Sequence, residues 1–287
     1  RLAADYETLS AINPKLVYCS ISAFGQDGAY AQKPAHDLTV QALAGLVDLN
    51  RGLEDAKPAS PNMPVADMAA SLMALSAILM ALYRRTETGE GDFIDMAMYD
   101  AALAWTPNVT GPVFAEDAHP PVKAMRSFGG AGMYHVYETS DARHLVLGGS
   151  EVKFARNLLT ALGREDLIEQ AKQEPGPAQD ALRTFLKETF AAEPLSHWEA
   201  FLETLDVCWA PVRSLKDAFD DPHTAERGMV FTDDAGNRHI GPPLRFLKEP
   251  GRPNPAAPAF GEHSEALALE AGFDPEEIRA MKARGVI

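Results

Sequence analysis

The sequence predicts an α/β fold in two parts, a large layered domain followed by a smaller α/β domain. Two patterns carry this expectation. Apolar, β-rich runs flank a long run of helix formers in the first hundred residues, and the rhythm of elements changes after a proline-punctuated stretch that begins at Pro107. Composition agrees: with 46% hydrophobic and 23% charged residues, a chain of 287 residues can bury a core in each of two domains.

Residues 6–12 read as a short helix ended by Asn13-Pro14, and 15–22 as a buried strand. Gly25 and Gly28 open a loop that runs through His36 into a helix over 38–46. A Pro- and Asp-rich stretch, 53–64, leads to Asp67 and to a long helix over 68–86 built almost wholly from helix formers. That helix is apolar on every side until Tyr83, so it is expected to lie buried between layers, with Arg84, Arg85 and Gly89 as stop signals. Its apolar run, 72–83, is too short to cross a bilayer, and no membrane span is expected. Residues 93–98 form a second buried strand, which completes a strand–helix–strand unit.

Pro107, Pro112, Pro120 and Pro121 mark a linker. Beyond it, 133–138 and 144–148 read as strands joined at Ser140-Asp141, and helices are expected over 152–162, 180–191 and 196–205. A hairpin over 228–232 and 237–240 turns about Asp234-Ala235-Gly236. The proline-rich segment 250–258 is extended and leads to a last helix, 274–284, started by Asp274-Pro275. The expected division is a large domain over 1–106, a linker over 107–132, a small α/β domain over 133–248, and a C-terminal extended segment and helix over 249–287.

A net charge of −15 argues against a nucleic-acid partner, because phosphate binding needs clustered Lys and Arg. Cys19 and Cys208 lie among apolar neighbours without metal-ligand spacing, and are expected reduced and buried, as in a cytoplasm. No zinc spacing occurs among the eight histidines, so no metal is predicted. Asp95 and Asp100 are expected on a solvated helix edge. The start Arg1-Leu2-Ala3 carries neither Met nor a secretory signal, which fits a fragment of a longer chain.

Asn13-Pro14-Lys15-Leu16-Val17-Tyr18, Phe24-Gly25-Gln26, His36-Asp37-Leu38 and Val65-Ala66-Asp67 together resemble the class III CoA-transferase and acyl-CoA racemase family. Ala81-Leu82-Tyr83-Arg84-Arg85, Tyr137-Glu138-Thr139, Ala210-Pro211-Val212 and Asp221-Pro222-His223 continue the match in the same order along the chain. The resemblance implies the remainder of a Rossmann-like large domain, with roughly ninety residues of the family's chains lying ahead of Arg1. It also implies a C-terminal segment that returns to the large domain, and an interlocked homodimer. The implied substrates are an acyl-CoA and a small carboxylic acid, with coenzyme A as a cosubstrate and no tightly bound cofactor.

Asp67 stands where the family's nucleophilic carboxylate stands; read by itself, it is an ordinary helix cap. In the transferases that carboxylate attacks the thioester carbonyl and passes through a mixed anhydride to an aspartyl-CoA thioester. In the racemases a His and an Asp exchange a proton at the α-carbon, and His36 with Asp67 resembles that pair. Glu151 resembles the Glu that pairs with this His, within reach across subunits. Arg1 resembles an arginine that contacts the CoA nucleotide. Gly129, Gly130 and Gly132 are candidates for a loop that holds the oxyanion; alternatively they are a flexible connection. Met63 and Met68-Ala69-Ala70-Ser71 depart from the racemase pattern around Asp67, whereas Gly129-Gly130-Ala131 with Met133-Tyr134 resembles it. CoA transfer is the leading expectation, racemisation of 2-methylacyl-CoA the alternative, and a non-catalytic CoA-binding remnant the third.

Overall fold

Parallel strands need a long connection between them, and the first hundred residues supply one. β1 (Val17–Ser22) pairs in parallel with β2 (Asp92–Ala97), Val17 opposite Asp92 and Ser22 opposite Ala97. The structure is a computed structural model that describes residues 3–52, 57–251 and 253–287. Ahead of β1 lies α1 (Tyr6–Ile12), whose cap, Asp5, accepts the Thr8 N–H at 2.9 Å. Between the strands come α2 (Asp37–Leu43), α3 (Leu46–Leu49) and α4 (Val65–Thr88). A single helix over 38–46 is not what forms: Gly45 takes a left-handed φ of 82° and separates α2 from α3.

The end of α4 is tied back to the start of β1. Arg85 donates to the Lys15 carbonyl at 2.9 Å, and Arg84 donates to the Gly91 carbonyl at 3.0 Å and pairs with Asp92 at 3.2 Å. The Gly91 N–H donates to the Pro14 carbonyl at 2.9 Å, an approach so close that a Cβ there would lie 1.9 Å from the Leu16 oxygen.

The expectation that α4 is buried on every side is wrong. Its buried residues are Ala66, Ala69, Ala70, Ala74 and Ala81, which let the helix approach α5 (Met98–Ala104) and the strands. Met68, Leu72, Leu75, Leu79, Met80 and Tyr83 are exposed. The helix begins at Val65, before the apolar run read from sequence. Over its 24 residues it is long and apolar enough, by length and composition, to cross a bilayer, so the length argument against a span does not hold. Here it serves as the crossover of a βαβ unit.

After α6 (Thr110–Glu116), β3 (Tyr134–Glu138) and β4 (His144–Gly148) form an antiparallel pair that β5 (Trp209–Pro211) extends on the far side of β4. Against this sheet pack α7 (Val152–Ala161), α8 (Ile168–Ala171), α9 (Asp180–Phe190) and α10 (Leu195–Leu202). Their core holds Tyr137, Leu145, Leu158, Leu182, Phe190 and Trp198. Its polar edges are satisfied: the Tyr137 hydroxyl donates to the Gly132 carbonyl at 2.7 Å, and Trp198 Nε1–H donates to the Phe190 carbonyl at 2.9 Å. Cys208, expected buried, is exposed, and Cys19 is half-buried. Entering β5, the chain alternates, with Val207 and Trp209 half-buried and Cys208 and Ala210 exposed, so an apolar neighbourhood in sequence does not bury the thiol.

The compact units are Arg1–Val212 and Arg213–Ile287. The division falls inside the stretch assigned from sequence to one small domain over 133–248, and residues 107–132 lie inside the first unit. The second unit contains α11 (Leu215–Asp220), closed by a Ser214/Asp217 capping box, and α12 (Pro222–Glu226). The expected hairpin follows as β6 (Val230–Thr232) and β7 (Arg238–Ile240), then α13 (Ser264–Glu270) and α14 (Pro275–Ala283).

Candidate active site

Because α4 ends at the beginning of β1, its first turn lies toward the carboxyl ends of the parallel strands, where open α/β sheets receive ligands. The loop after β1 is held there by short bonds. Ser22 Oγ accepts the Gly25 N–H at 2.9 Å, Gln26 Nε2 donates to Ser20 Oγ at 2.9 Å, and Asp95 accepts the Gln26 N–H at 2.8 Å. Asp95 is therefore a strand residue that anchors a loop rather than part of a helix edge; Asp100 does lie on α5.

Asp67 is the third residue of α4 and is exposed. Pro64 occupies the cap position, where it offers neither a side-chain acceptor nor an N–H. A carboxylate at the third position normally reaches back to the cap amide, and here that amide carries no hydrogen. The capping is done from another helix. Asp37 Oδ1 accepts the N–H groups of Ala66 at 2.9 Å and Asp67 at 3.2 Å. No hydrogen bond or ion pair engages the Asp67 carboxylate among the described residues.

His36 is the cap residue of α2. Its carbonyl accepts from Thr39 and Val40 at 2.9 and 3.1 Å, while its imidazole is exposed and makes no cap bond. His36 precedes Asp37 in the chain, so the backbones of His36 and Asp67 meet at the Asp37 carboxylate. Glu151 is the exposed cap residue of α7, again without a side-chain cap bond. Among the described residues no hydrogen bond or ion pair joins it to His36. Arg1 lies outside the described residues.

The glycine loop behaves differently from the expectation that all three glycines serve a ligand. The Gly130 N–H donates to the Met125 carbonyl and the Gly132 N–H to Gln179 Oε1, both at 3.0 Å. Both amides are thus committed inside the protein, Gly130 within its own loop and Gly132 to a side chain of the turn over Pro177–Gln179. Gly129, at φ 95°, is the one whose amide has no partner among the described residues. Beside it a cavity of about 190 Å³ is lined by Arg51, Lys123, Ser127, Tyr134 and His135. Burial, reinforced by the positive charge of Arg183 and opposed by the Gly129 backbone, holds the His135 imidazole below its ordinary value, and among the described residues its buried Nδ1 has no partner at full hydrogen-bond geometry.

Sequence reasoning missed Asp37 and Gln41 as members of this site. Gln41 is 1% exposed, and its Nε2 donates to Asp37 Oδ2 at 2.6 Å and to the Met63 carbonyl at 3.1 Å. An Asp followed four residues later by Gln on a helix is a visible pair, but nothing in that spacing reveals that the pair holds a second helix. No group of three or more His, Cys, Asp or Glu side chains suited to a metal occurs among the described residues.

Comparison with known proteins identifies the family. Over 274 residues the chain is 29% identical to a succinate–glutarate CoA-transferase of Agrobacterium fabrum, covering 93% of this chain and 68% of that protein. Over 296 residues it is also 29% identical to the alpha-methylacyl-CoA racemase of Homo sapiens, covering 100% of this chain and 75% of the racemase. The crystal structure of a CaiB/BaiF family protein from Brucella suis superposes with a TM-score of 0.77 at 29% identity, over 93% of this chain and 71% of that one. The sequence profile of CoA-transferase family III matches residues 1–264, and the chain belongs to that family.

Proposed function

We propose that the protein transfers coenzyme A from an acyl-CoA to a carboxylic acid, with Asp67 as the nucleophile. The observation that carries this reading is the freedom of the Asp67 carboxylate: exposed at the start of α4, and relieved by Asp37 of any duty to the helix amides. Asp67 attacks the thioester carbonyl and expels CoA thiolate, leaving a mixed anhydride. The thiolate then attacks the aspartyl carbonyl and releases the donor acid, so that CoA is held as an aspartyl thioester. The acceptor carboxylate repeats the sequence in reverse, yielding the new acyl-CoA and free Asp67. Positive charge at α4's first turn and the Gly129 amide suit the developing oxyanions.

Racemisation is the second reading. One observation favours it: the Asp67 N–H is bonded to Asp37, the residue that follows His36, so the backbones carrying the two candidate proton-transfer groups meet at one carboxylate. In this reading Glu151, exposed at the start of α7, meets His36 of a second copy in a homodimer.

One experiment separates the two. The full-length protein is incubated with a chiral 2-methylacyl-CoA in deuterium oxide without an acceptor acid, and the Asp67 peptide and the acyl α-carbon are both read by mass spectrometry. CoA transfer predicts an Asp67–CoA adduct and no deuterium at the α-carbon. Deuterium uptake without an adduct would replace this proposal with the racemase reading.

A further inference from the structure

The start of α4 presents a problem that its own sequence does not solve. Helix termini leave N–H groups without intrahelical partners, and an Asp in the first turn is ordinarily drawn to them. The Val65 N–H reaches the Met63 carbonyl at 2.9 Å, and the Met68 N–H reaches the Pro64 carbonyl at 3.0 Å. The amides of Ala66 and Asp67 remain, and Ala66, at 0% exposure, cannot turn its N–H to water. The acceptor of both is Asp37 Oδ1, at 2.9 and 3.2 Å, from the first residue of α2.

We infer that Asp37 is the positioning residue of this site: by capping α4 from α2 it keeps Asp67 uncommitted and holds His36 and Asp67 in a fixed relation. The inference rests on the reading of Asp67 as the reacting group. Four bonds make the arrangement stiff. One Asp37 oxygen receives the two α4 amides, and the other is held by Gln41, which also grips the Met63 carbonyl just ahead of the helix. Moving α4 relative to His36 must break this set. Removing it leaves two vacant amides beside Asp67, whose own carboxylate is the nearest acceptor on that helix. Asp67 then folds back onto the helix start and is withdrawn from the thioester. The role belongs to geometry as well as charge, so an amide oxygen at residue 37 substitutes in part.

The test compares Asp37→Ala, Asp37→Asn and Asp67→Asn in the full-length protein, with two readouts. One is the rate at which a water-soluble carbodiimide and an amine label Asp67, followed by peptide mass spectrometry. The other is kcat and KM for CoA transfer. Asp37→Ala should slow Asp67 labelling by roughly threefold or more and lower kcat by roughly tenfold, with KM for acyl-CoA changed by less than about twofold. Asp37→Asn, which keeps an oxygen for both amides but loses the acceptor for Gln41, should recover part of both. Labelling of Asp67 at the parent rate in a folded Asp37→Ala protein overturns the inference, as does an Asn variant no better than Ala. Should Asp37→Ala not fold, Gln41→Leu, which leaves Asp37 without its donor, is read in the same way: slowed labelling supports the inference, and parent rates overturn it. Transfer that survives in Asp67→Asn instead refutes the reading of Asp67, while the labelling readout still decides the role of Asp37.

Discussion

Gln41 joins two helices through a single amide nitrogen. With 1% exposure, its side chain has no water to replace the bonds to Asp37 at 2.6 Å and Met63 at 3.1 Å. Leucine fills nearly the same volume but donates nothing. Gln41→Leu should therefore cost about 1–3 kcal/mol, the range for a buried polar group left unsatisfied, seen as a lower urea midpoint with an unchanged slope. An unchanged midpoint would mean that solvent reaches both acceptors. The same residue shows where sequence reading stops. Asp67 and His36 stand in short motifs and Glu151 was picked out by resemblance, so each could be named as a candidate from sequence. Asp37 and Gln41 act on partners 22 to 30 residues away, and no local periodicity encodes a side chain that caps another helix. Gly130 and Gly132 show the converse: the glycine cluster is visible in sequence, but the partners that occupy these two amides, the Met125 carbonyl and the Gln179 side chain, are not.

At the scale of elements, α4 was legible in its existence and its end but not in its orientation. Orientation is read from an apolar stripe beside a polar one, and a helix apolar all round has no such contrast. The choice was made by size. Alanines face the strands because they permit close approach, and the larger side chains face outward, Leu79 at 57% exposure and Tyr83 at 74%. A pair of truncations tests this assignment. Leu158, at 0% exposure in the core under β3 and β4, should lose about 2–5 kcal/mol on replacement by Ala. Leu79→Ala should change stability by no more than about 0.5 kcal/mol. A loss at Leu79 comparable to that at Leu158 would show that the outer face of α4 is covered in solution, by a second copy or by further chain.

The whole molecule divides where the sequence does not announce it. No glycine- or proline-rich break separates Val212 from Arg213, whereas the prolines of 107–132 lie within one unit. Punctuation marks turns, but unit boundaries follow where packing ends. The two units should differ in their response to acid. In the first, His135 is held below its ordinary 6.5 by burial, with Arg183, Lys123 and Lys187 acting in the same direction and the Gly129 backbone opposing them. The unfolded chain thus binds that proton more readily than the folded one, so His135's contribution to stability is present above 6.5 and is lost as pH falls through the folded value. In the second, Asp233 is held well below its ordinary 3.8, first by His239 and then by Asn237. Its contribution is present above 3.8 and is lost only as pH falls further. The three tryptophans, Trp105, Trp198 and Trp209, all lie in the first unit, so their fluorescence reports that unit alone. Denaturant midpoints read by tryptophan should fall between about pH 7 and pH 5, while the amide-exchange protection factors of Val230 and Thr232 in the hairpin, corrected for the intrinsic pH dependence of exchange, stay constant over the same range. His135→Gln should flatten the tryptophan curve without touching the hairpin. Parallel loss of both signals, or an unaltered curve in His135→Gln, would place the acid sensitivity elsewhere.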